Sequence, residues 1–277
     1  MSDQTASLAA GDGLVLFTRR WLAPEPRVAV LLVHGLGEHC GRWDHVAELL
    51  NERGMSVFSF DLRGHGRSGG RRAHVDSFDD YIHDLRLVAE TDVIPTGLPW
   101  VLYGHSMGGL IATVYLTGDN PQPAAGVLSA PALDADVPTA LRYAANVLGR
   151  VTPALPLPNS IKGDHLCRDP AVAEAYFGDP LVETKATAGF GREALLAQTN
   201  VRAALGQISV PLLVFHGAED ELVPPRASAP FGGVEGATRR LYPGLRHETH
   251  NEPEQEQVIG DVADWIEETV LRQSSDA

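Results

Sequence analysis

The sequence predicts an α/β fold: a mostly parallel central sheet flanked by helices, with a helical cap inserted late in the chain. Three observations predict it. Short aliphatic runs such as Val28 to Val33 and Met55 to Phe60 have the composition of strands buried on both faces. Helical stretches alternate with these runs, as units of parallel strand and crossover helix require. The alternation breaks from about Leu133 to Gln207 and then resumes, which marks an insertion. A chain of 277 residues can bury one large core. The expected organisation is therefore a core formed by residues 1–132 and 208–277, with residues 133–207 as the cap.

Each element has its own local reason. Leu14 to Trp21 is rich in strand formers, follows the Gly11-Asp12-Gly13 turn and suits an antiparallel edge hairpin that Pro24 and Pro26 end. The Val28 to Val33 strand empties into His34-Gly35-Leu36-Gly37-Glu38-His39. A helix from about Trp43 to Arg53 stops at Gly54, and the Met55 to Phe60 strand ends in Asp61-Leu62-Arg63-Gly64-His65-Gly66-Arg67-Ser68. Asp76 or Ser77 can cap a helix running from Phe78 to about Glu90; His74 and Asp79, which mimic an acyltransferase signature, belong to this helix start. Trp100 to Tyr103 is the next strand, followed by a glycine turn, a helix and the short strand Gly126 to Ser129. In the insertion, Thr139 to Leu148 reads as helix and Pro153, Pro156 and Pro158 as a turn, with further helices and no strand. Val210 to Phe215 and Thr238 to Tyr242 are the last strands. An amphipathic helix from about Glu254 to Leu271 closes the chain, with Val258, Ile259, Val262, Trp265 and Ile266 on one side.

Charge narrows the partners. With 22 basic and 36 acidic residues the formal charge is −14, which disfavours nucleic acid and anionic bilayers and leaves neutral lipids and small molecules. No apolar run approaches the roughly 18 to 20 residues of a membrane span. Met1 to Asp12 lacks the basic start and apolar block of a secretory signal, so a cytoplasmic location is expected. Cys40 and Cys167 are too few for a disulfide framework and read as free thiols.

Ligands of open parallel sheets bind beyond the carboxyl ends of the strands, and the polar clusters of this chain fall at those ends. Gly104-His105-Ser106-Met107-Gly108 stands between strand and helix, where a Gly-x-Ser-x-Gly turn lifts the serine oxygen clear of the sheet. A serine hydroxyl needs a base to take its proton, and the base needs a carboxylate to hold its tautomer. Downstream, Asp220 lies after the penultimate strand and His247 after the last; the order Ser, Asp, His is that of the α/β-hydrolase fold. Asp134 is a rival acid and His250 a rival base; Asp220 is preferred from the usual layout of the motif, and His247 because it is nearer its strand. Met107 N–H and, from the Gly35-Leu36-Gly37 loop, Leu36 N–H are the candidate oxyanion donors. His247-Glu248-Thr249-His250 differs from the helical zinc motif, and neither a metal nor a cofactor is expected.

These motifs together resemble the monoacylglycerol lipase family of α/β-hydrolases, from about Val28 to the final helix. The marks are His34 to His39 with Arg42, Arg63 to Ser68, Gly104 to Gly109, Gly217-Ala218-Glu219-Asp220 and His247 to His250. The resemblance implies a triad of Ser106, Asp220 and His247, oxyanion donors Leu36 and Met107, and a polar glycerol pocket using Glu38, Arg42 and His250, with Tyr176 beside it. Glu38 and Arg42 read equally well as an ion pair holding the loop. The expected substrate is a small lipid, a monoacylglycerol or related ester. A lysophospholipid or a simple ester is the alternative, and a non-catalytic ligand-binding protein is the reading from another class. Apolar cap residues around Val137, Leu141, Tyr143, Val147, Leu148 and Val151 either line an acyl channel, touch a lipid surface transiently or pack on the core.

Overall fold

A computed structural model describes residues 2–134, 139–159 and 161–271. The chain starts with an antiparallel hairpin, β1 (Ser2–Ala9) and β2 (Val15–Leu22), turned at Gly13 with φ 84°. β3 (Val28–Val33), α1 (Asp44–Glu52), β4 (Met55–Phe60), α2 (Asp79–Val88), β5 (Trp100–His105), α3 (Met107–Thr117) and β6 (Ala125–Ser129) follow in strict alternation. After the insertion come β9 (Leu212–Gly217), β10 (Ala237–Tyr242) and α8 (Gln255–Ile266). The sheet order is β1-β2-β4-β3-β5-β6-β9-β10, antiparallel where β2 meets β1 and β4 and parallel from β4 to β10.

Every residue of β3, β4, β5, β6 and β9 is buried, as the aliphatic runs predict. One face packs Leu31, Phe60, Leu102, Leu128 and Val214 against Tyr81 and Leu85 of α2 and Ile111 and Tyr115 of α3. The opposite face packs Val30, Val57, Tyr103 and Phe215 against Val46 and Leu50 of α1 and Val258, Val262, Trp265 and Ile266 of α8. Each layer removes apolar surface at about 25 cal/mol per Å², so the two cores hold the strand ends in fixed relation.

The structure adds one strand, corrects the expectation that the insertion holds none, and selects Ser77 over Asp76 at the start of α2. Ser2–Ala9 is a strand, although it is polar and exposed along most of its length; its backbone pairs with β2 over eight positions and needs no apolar face. Pro156 and Pro158 lie in β7 (Pro156–Pro158), which pairs with β8 (Lys185–Thr187), so the insertion does contain strands. Proline is tolerated in so short an outer ribbon because no central ladder is interrupted. At the start of α2, Ser77 Oγ accepts from Asp79 N–H at 3.3 Å, whereas Asp76 projects into solvent and meets only His74. His74 instead reaches Thr187 Oγ1 at 2.8 Å, joining the core to β8.

Between β6 and β9 the chain also forms α4 (Thr139–Val151), α5 (Gly163–Leu166), α6 (Pro170–Gly178) and α7 (Ala188–Ala204). Tyr143, Val147 and Val151 of α4 face solvent. Val137 and the side chain of Leu141 lie outside the described residues. Among the described residues no helix is long and apolar enough to cross a membrane.

Candidate active site

Strand β5 delivers Ser106 onto the turn that leads directly into α3. Its backbone is held at φ 53° and ψ −115°, a conformation that L residues avoid and that surrounding structure must enforce. Ser106 N–H donates to Ser129 O at 2.9 Å, and Ser106 O accepts from Leu110 N–H and Ala132 N–H. The flanking glycines are steric requirements. A Cβ on Gly104 would lie 2.4 Å from Gly108 O, and one on Gly108 would lie 2.1 Å from Val33 O. Met107 is the first residue of α3, so its N–H has no acceptor within the helix and adds to the positive end of the helix dipole.

The turns after β9 and β10 bring the other two groups to Ser106. His247 Nε2 is 2.9 Å from Ser106 Oγ, and His247 Nδ1 is 2.7 Å from Asp220 Oδ2. Asp220 is a carboxylate, so Nδ1 carries the proton and donates to it; Nε2 is then the acceptor for the serine hydroxyl. Asp220 Oδ1 accepts from Leu222 N–H and Val223 N–H, both at 2.9 Å, which fixes the carboxylate plane. His216 Nε2 lies 2.8 Å from Val223 O and 3.2 Å from Asp220 Oδ2, a further donor beside the acid. Burial alone would raise Asp220, but His247 and His216 outweigh it and hold the carboxyl far below its usual range. Burial likewise disfavours charge on His247, yet the Asp220 carboxylate reverses that and raises the imidazole above its ordinary value. Asp134, the rival acid, is paired with Arg142 and Arg202 instead.

A second polar chain stands behind the loop after β3. Glu38 Oε1 accepts from Gly35 N–H at 2.6 Å, while its Oε2 accepts from Arg42 at 3.0 Å and from Trp43 Nε1 at 3.1 Å. Arg42 donates two bonds, 2.7 and 2.8 Å, to the two oxygens of Glu248, next in sequence to His247. One guanidinium thus ties the β3 loop to the β10 loop. Burial and the nearby Glu248 push the Glu38 carboxyl up, whereas Arg42 overcomes burial at Glu248 and pulls it down. The Arg42 guanidinium also lies 4.8 Å over the Tyr176 ring. His250 is fully buried and stacks on Trp43 with ring centroids 3.9 Å apart. Burial keeps it neutral at physiological pH.

The cavity above Ser106 has a volume of about 390 Å³. Leu110, Leu157, Ile161, Leu166, Phe190 and Leu195 make most of its wall apolar. Leu36, Glu38, Met107, Tyr176 and His247 line it too, together with Asn159 and Glu248, which sequence reasoning had not singled out. Arg42 and His250 are not part of its lining; they support it from behind. Among the described side chains of α4 it is Ala145 that reaches the cavity, rather than Tyr143, Val147, Leu148 or Val151. Glu248 was in plain view inside the His247 to His250 motif, but its partner Arg42 is 206 residues away, and only the closed sheet joins them.

Comparison with known proteins identifies the family. The family described as serine aminopeptidase, S33, matches residues 24–254. A protein of Mycolicibacterium smegmatis named monoacylglycerol lipase is 39% identical over 251 residues, 87% of this chain and 89% of the relative. Human monoglyceride lipase is 33% identical over 255 residues, 88% of this chain and 84% of the relative. Among solved structures, the monoacylglycerol lipase of Paleococcus ferrophilus superposes with a TM-score of 0.82 at 32% identity, covering 91% of this chain and 98% of the other. A serine turn alone would not separate one hydrolase from another, but similarity over most of both chains does: this chain is a hydrolase that belongs to the monoacylglycerol lipase family of α/β-hydrolases.

Proposed function

We propose that this chain hydrolyses monoacylglycerols to glycerol and free fatty acid through an acyl-enzyme on Ser106. The observation that supports this best is the continuous chain Ser106 Oγ, His247, Asp220 beneath a mostly apolar cavity with a small polar patch. Ser106 Oγ attacks the ester carbonyl as its proton passes to His247 Nε2, and Asp220 stabilises the imidazolium that forms. The carbonyl oxygen becomes an oxyanion, held by the N–H groups of Leu36 and Met107. The imidazolium returns the proton to the departing glycerol oxygen. Water then attacks the acyl-serine with His247 as base again, and the fatty acid leaves.

Head-group recognition falls to Glu38, Tyr176 and Asn159, all of which line the cavity, with Tyr176 and Asn159 beside Gly37 and Glu38 against Gly35. Arg42 and His250 act one step removed, by fixing Glu38 and the loops that bear it. Residues 133–207 serve as the cap, and the exposed Tyr143, Val147 and Val151 on α4 suit brief contact with a lipid surface from which substrate enters. The names of the bacterial and human relatives agree with this substrate class.

The test compares kcat/KM for 1-monoacylglycerols of several chain lengths with matched p-nitrophenyl esters, using Ser106→Ala as the inactive control. A preference for the glycerol esters, lost in Glu38→Gln, is expected. Equal or better turnover of the simple esters would remove the head-group pocket and leave a general esterase.

A further inference from the structure

We infer that the strap formed by residues 179–187 of the insertion is a positioning device for the oxyanion loop. This rests on the esterase reading above. The loop after β3 bears Leu36 and turns at Gly37, whose φ is 79°. Its carbonyl is not left to solvent: Gly37 O accepts from Glu183 N–H at 2.7 Å. The contact is close-packed, because a Cβ on Gly37 would lie 2.5 Å from Glu183 O and 2.9 Å from Tyr176 Oη. The insertion therefore touches, through its backbone, the Gly37–Glu38 peptide, which lies one peptide beyond the pair that flanks Leu36.

Glu183 is itself held by two side chains, and the strap by two further contacts. Asn159 Nδ2 donates to Glu183 O at 3.0 Å, fixing it to the neighbouring β7 segment. Arg72 donates to Glu183 Oε1 at 2.6 Å while also donating to Gly66 O and Ser68 O, so the strap is anchored to the loop after β4. Immediately before the Cys40–Trp43 turn that leads into α1, His39 Nδ1 accepts from Gly41 N–H, which leaves Nε2 as the donor to Asp179 Oδ2 at 2.9 Å. Further along, Thr187 N–H donates to Ala73 O at 3.0 Å. Four anchors over nine residues are more than a chain reversal needs. Their common effect is to press Glu183 N–H against Gly37 O, which fixes the Gly37–Glu38 peptide and, through the turn at Gly37, the end of the segment that carries Leu36.

A donor contributes to transition-state stabilisation only if it is aimed before the oxyanion forms. Loosening the strap then lowers kcat even for esters too short to use the cap's acyl wall. A purely structural strap would change stability, or KM for long substrates, and leave the chemical step on a short ester alone.

The experiment uses the full chain with p-nitrophenyl acetate and a short-chain trifluoromethyl ketone. Ser106 adds to the ketone carbonyl, its proton passing to His247, and the resulting oxyanion reports the donors directly. Glu183→Pro removes the N–H that meets Gly37; Arg72→Gln removes the anchor on the Glu183 carboxylate without touching the loop; Gly37→Ala disturbs the contact from the other side. The expected result is a kcat at least tenfold lower in Glu183→Pro and Gly37→Ala, within the about 10²- to 10³-fold limit for losing a whole donor, with a smaller loss in Arg72→Gln. KM stays within about twofold and Ki for the ketone rises in step with the kcat loss. If Glu183→Pro does not fold, as judged by circular dichroism, Gly37→Ala and Arg72→Gln decide the matter. Unchanged kcat and Ki in the folded variants overturn the inference while wild-type turnover still supports the esterase. Absence of ester turnover in the wild type, by contrast, removes the esterase reading on which the inference stands.

Discussion

Replacing Asp220 by asparagine changes charge and donor sense at one atom while keeping the shape of the site. Asp220 Oδ1 is held by Leu222 N–H and Val223 N–H, so an asparagine keeps its oxygen there and turns its NH₂ toward His247 Nδ1, 2.7 Å away in the native structure. Two donors cannot face each other. His247 then switches tautomer, with its proton on Nε2 pointing at Ser106, and can no longer accept the serine proton. The expected loss in kcat is on the order of 10⁴, equivalent to about 5.4 kcal/mol of activation free energy. A second signature follows from charge. The carboxylate raises the His247 pKa above its ordinary value, and the base works only when neutral, so wild-type activity falls as pH drops through that raised value. Removing the carboxylate moves the acid limb to lower pH, and the wild-type advantage shrinks on acidification. The assay is kcat/KM on a soluble short-chain ester from pH 5 to 9, with circular dichroism as the check on folding. A loss below about tenfold with an unmoved acid limb would refute the assigned tautomer and the role of Asp220.

Other perturbations probe the scaffold. Arg42→Met leaves Glu38 and Glu248 buried without their cation, and chemical denaturation should show a loss of about 3–5 kcal/mol; a change under about 1 kcal/mol would mean the pair is not what ties the two loops. Gly108→Ala places a methyl 2.1 Å from Val33 O, so soluble, folded protein should be lost or strongly destabilised, whereas normal yield and melting temperature would contradict the tight strand-to-helix packing. Ser106→Gly removes the Cβ from the residue at φ 53° and should raise the melting temperature while eliminating turnover, since about 1–3 kcal/mol of backbone strain is relieved. A lower melting temperature in that variant would show that the turn is not strained.

The parts of the fold that were legible in sequence are those whose pattern is local. β3 and β4 are runs in which every side chain must be apolar because helices cover both faces, and the two strands lie where the runs do. The final helix declares its buried side through Val258, Ile259, Val262, Trp265 and Ile266, and all five are buried. β1 was not legible because an edge strand held by its ladder needs no apolar alternation. The β7–β8 ribbon was hidden by its prolines and its exposure. At the site, the Ser, Asp and His positions were readable from their places in the turns after β5, β9 and β10. The support around them was not: Arg42 with Glu248, His216 with Asp220 and Glu183 with Gly37 are contacts that only the closed sheet and the returning insertion create.

The central claim is that Ser106 performs the chemistry. It is tested most directly by labelling the full chain with a fluorophosphonate, from which Ser106 Oγ displaces fluoride, and following monoacylglycerol hydrolysis and the labelled peptide by mass spectrometry together. The account predicts one adduct, on the peptide containing Ser106, with activity lost in step with labelling. A stoichiometric adduct on another residue, or hydrolysis that persists after Ser106 is fully labelled, would contradict it.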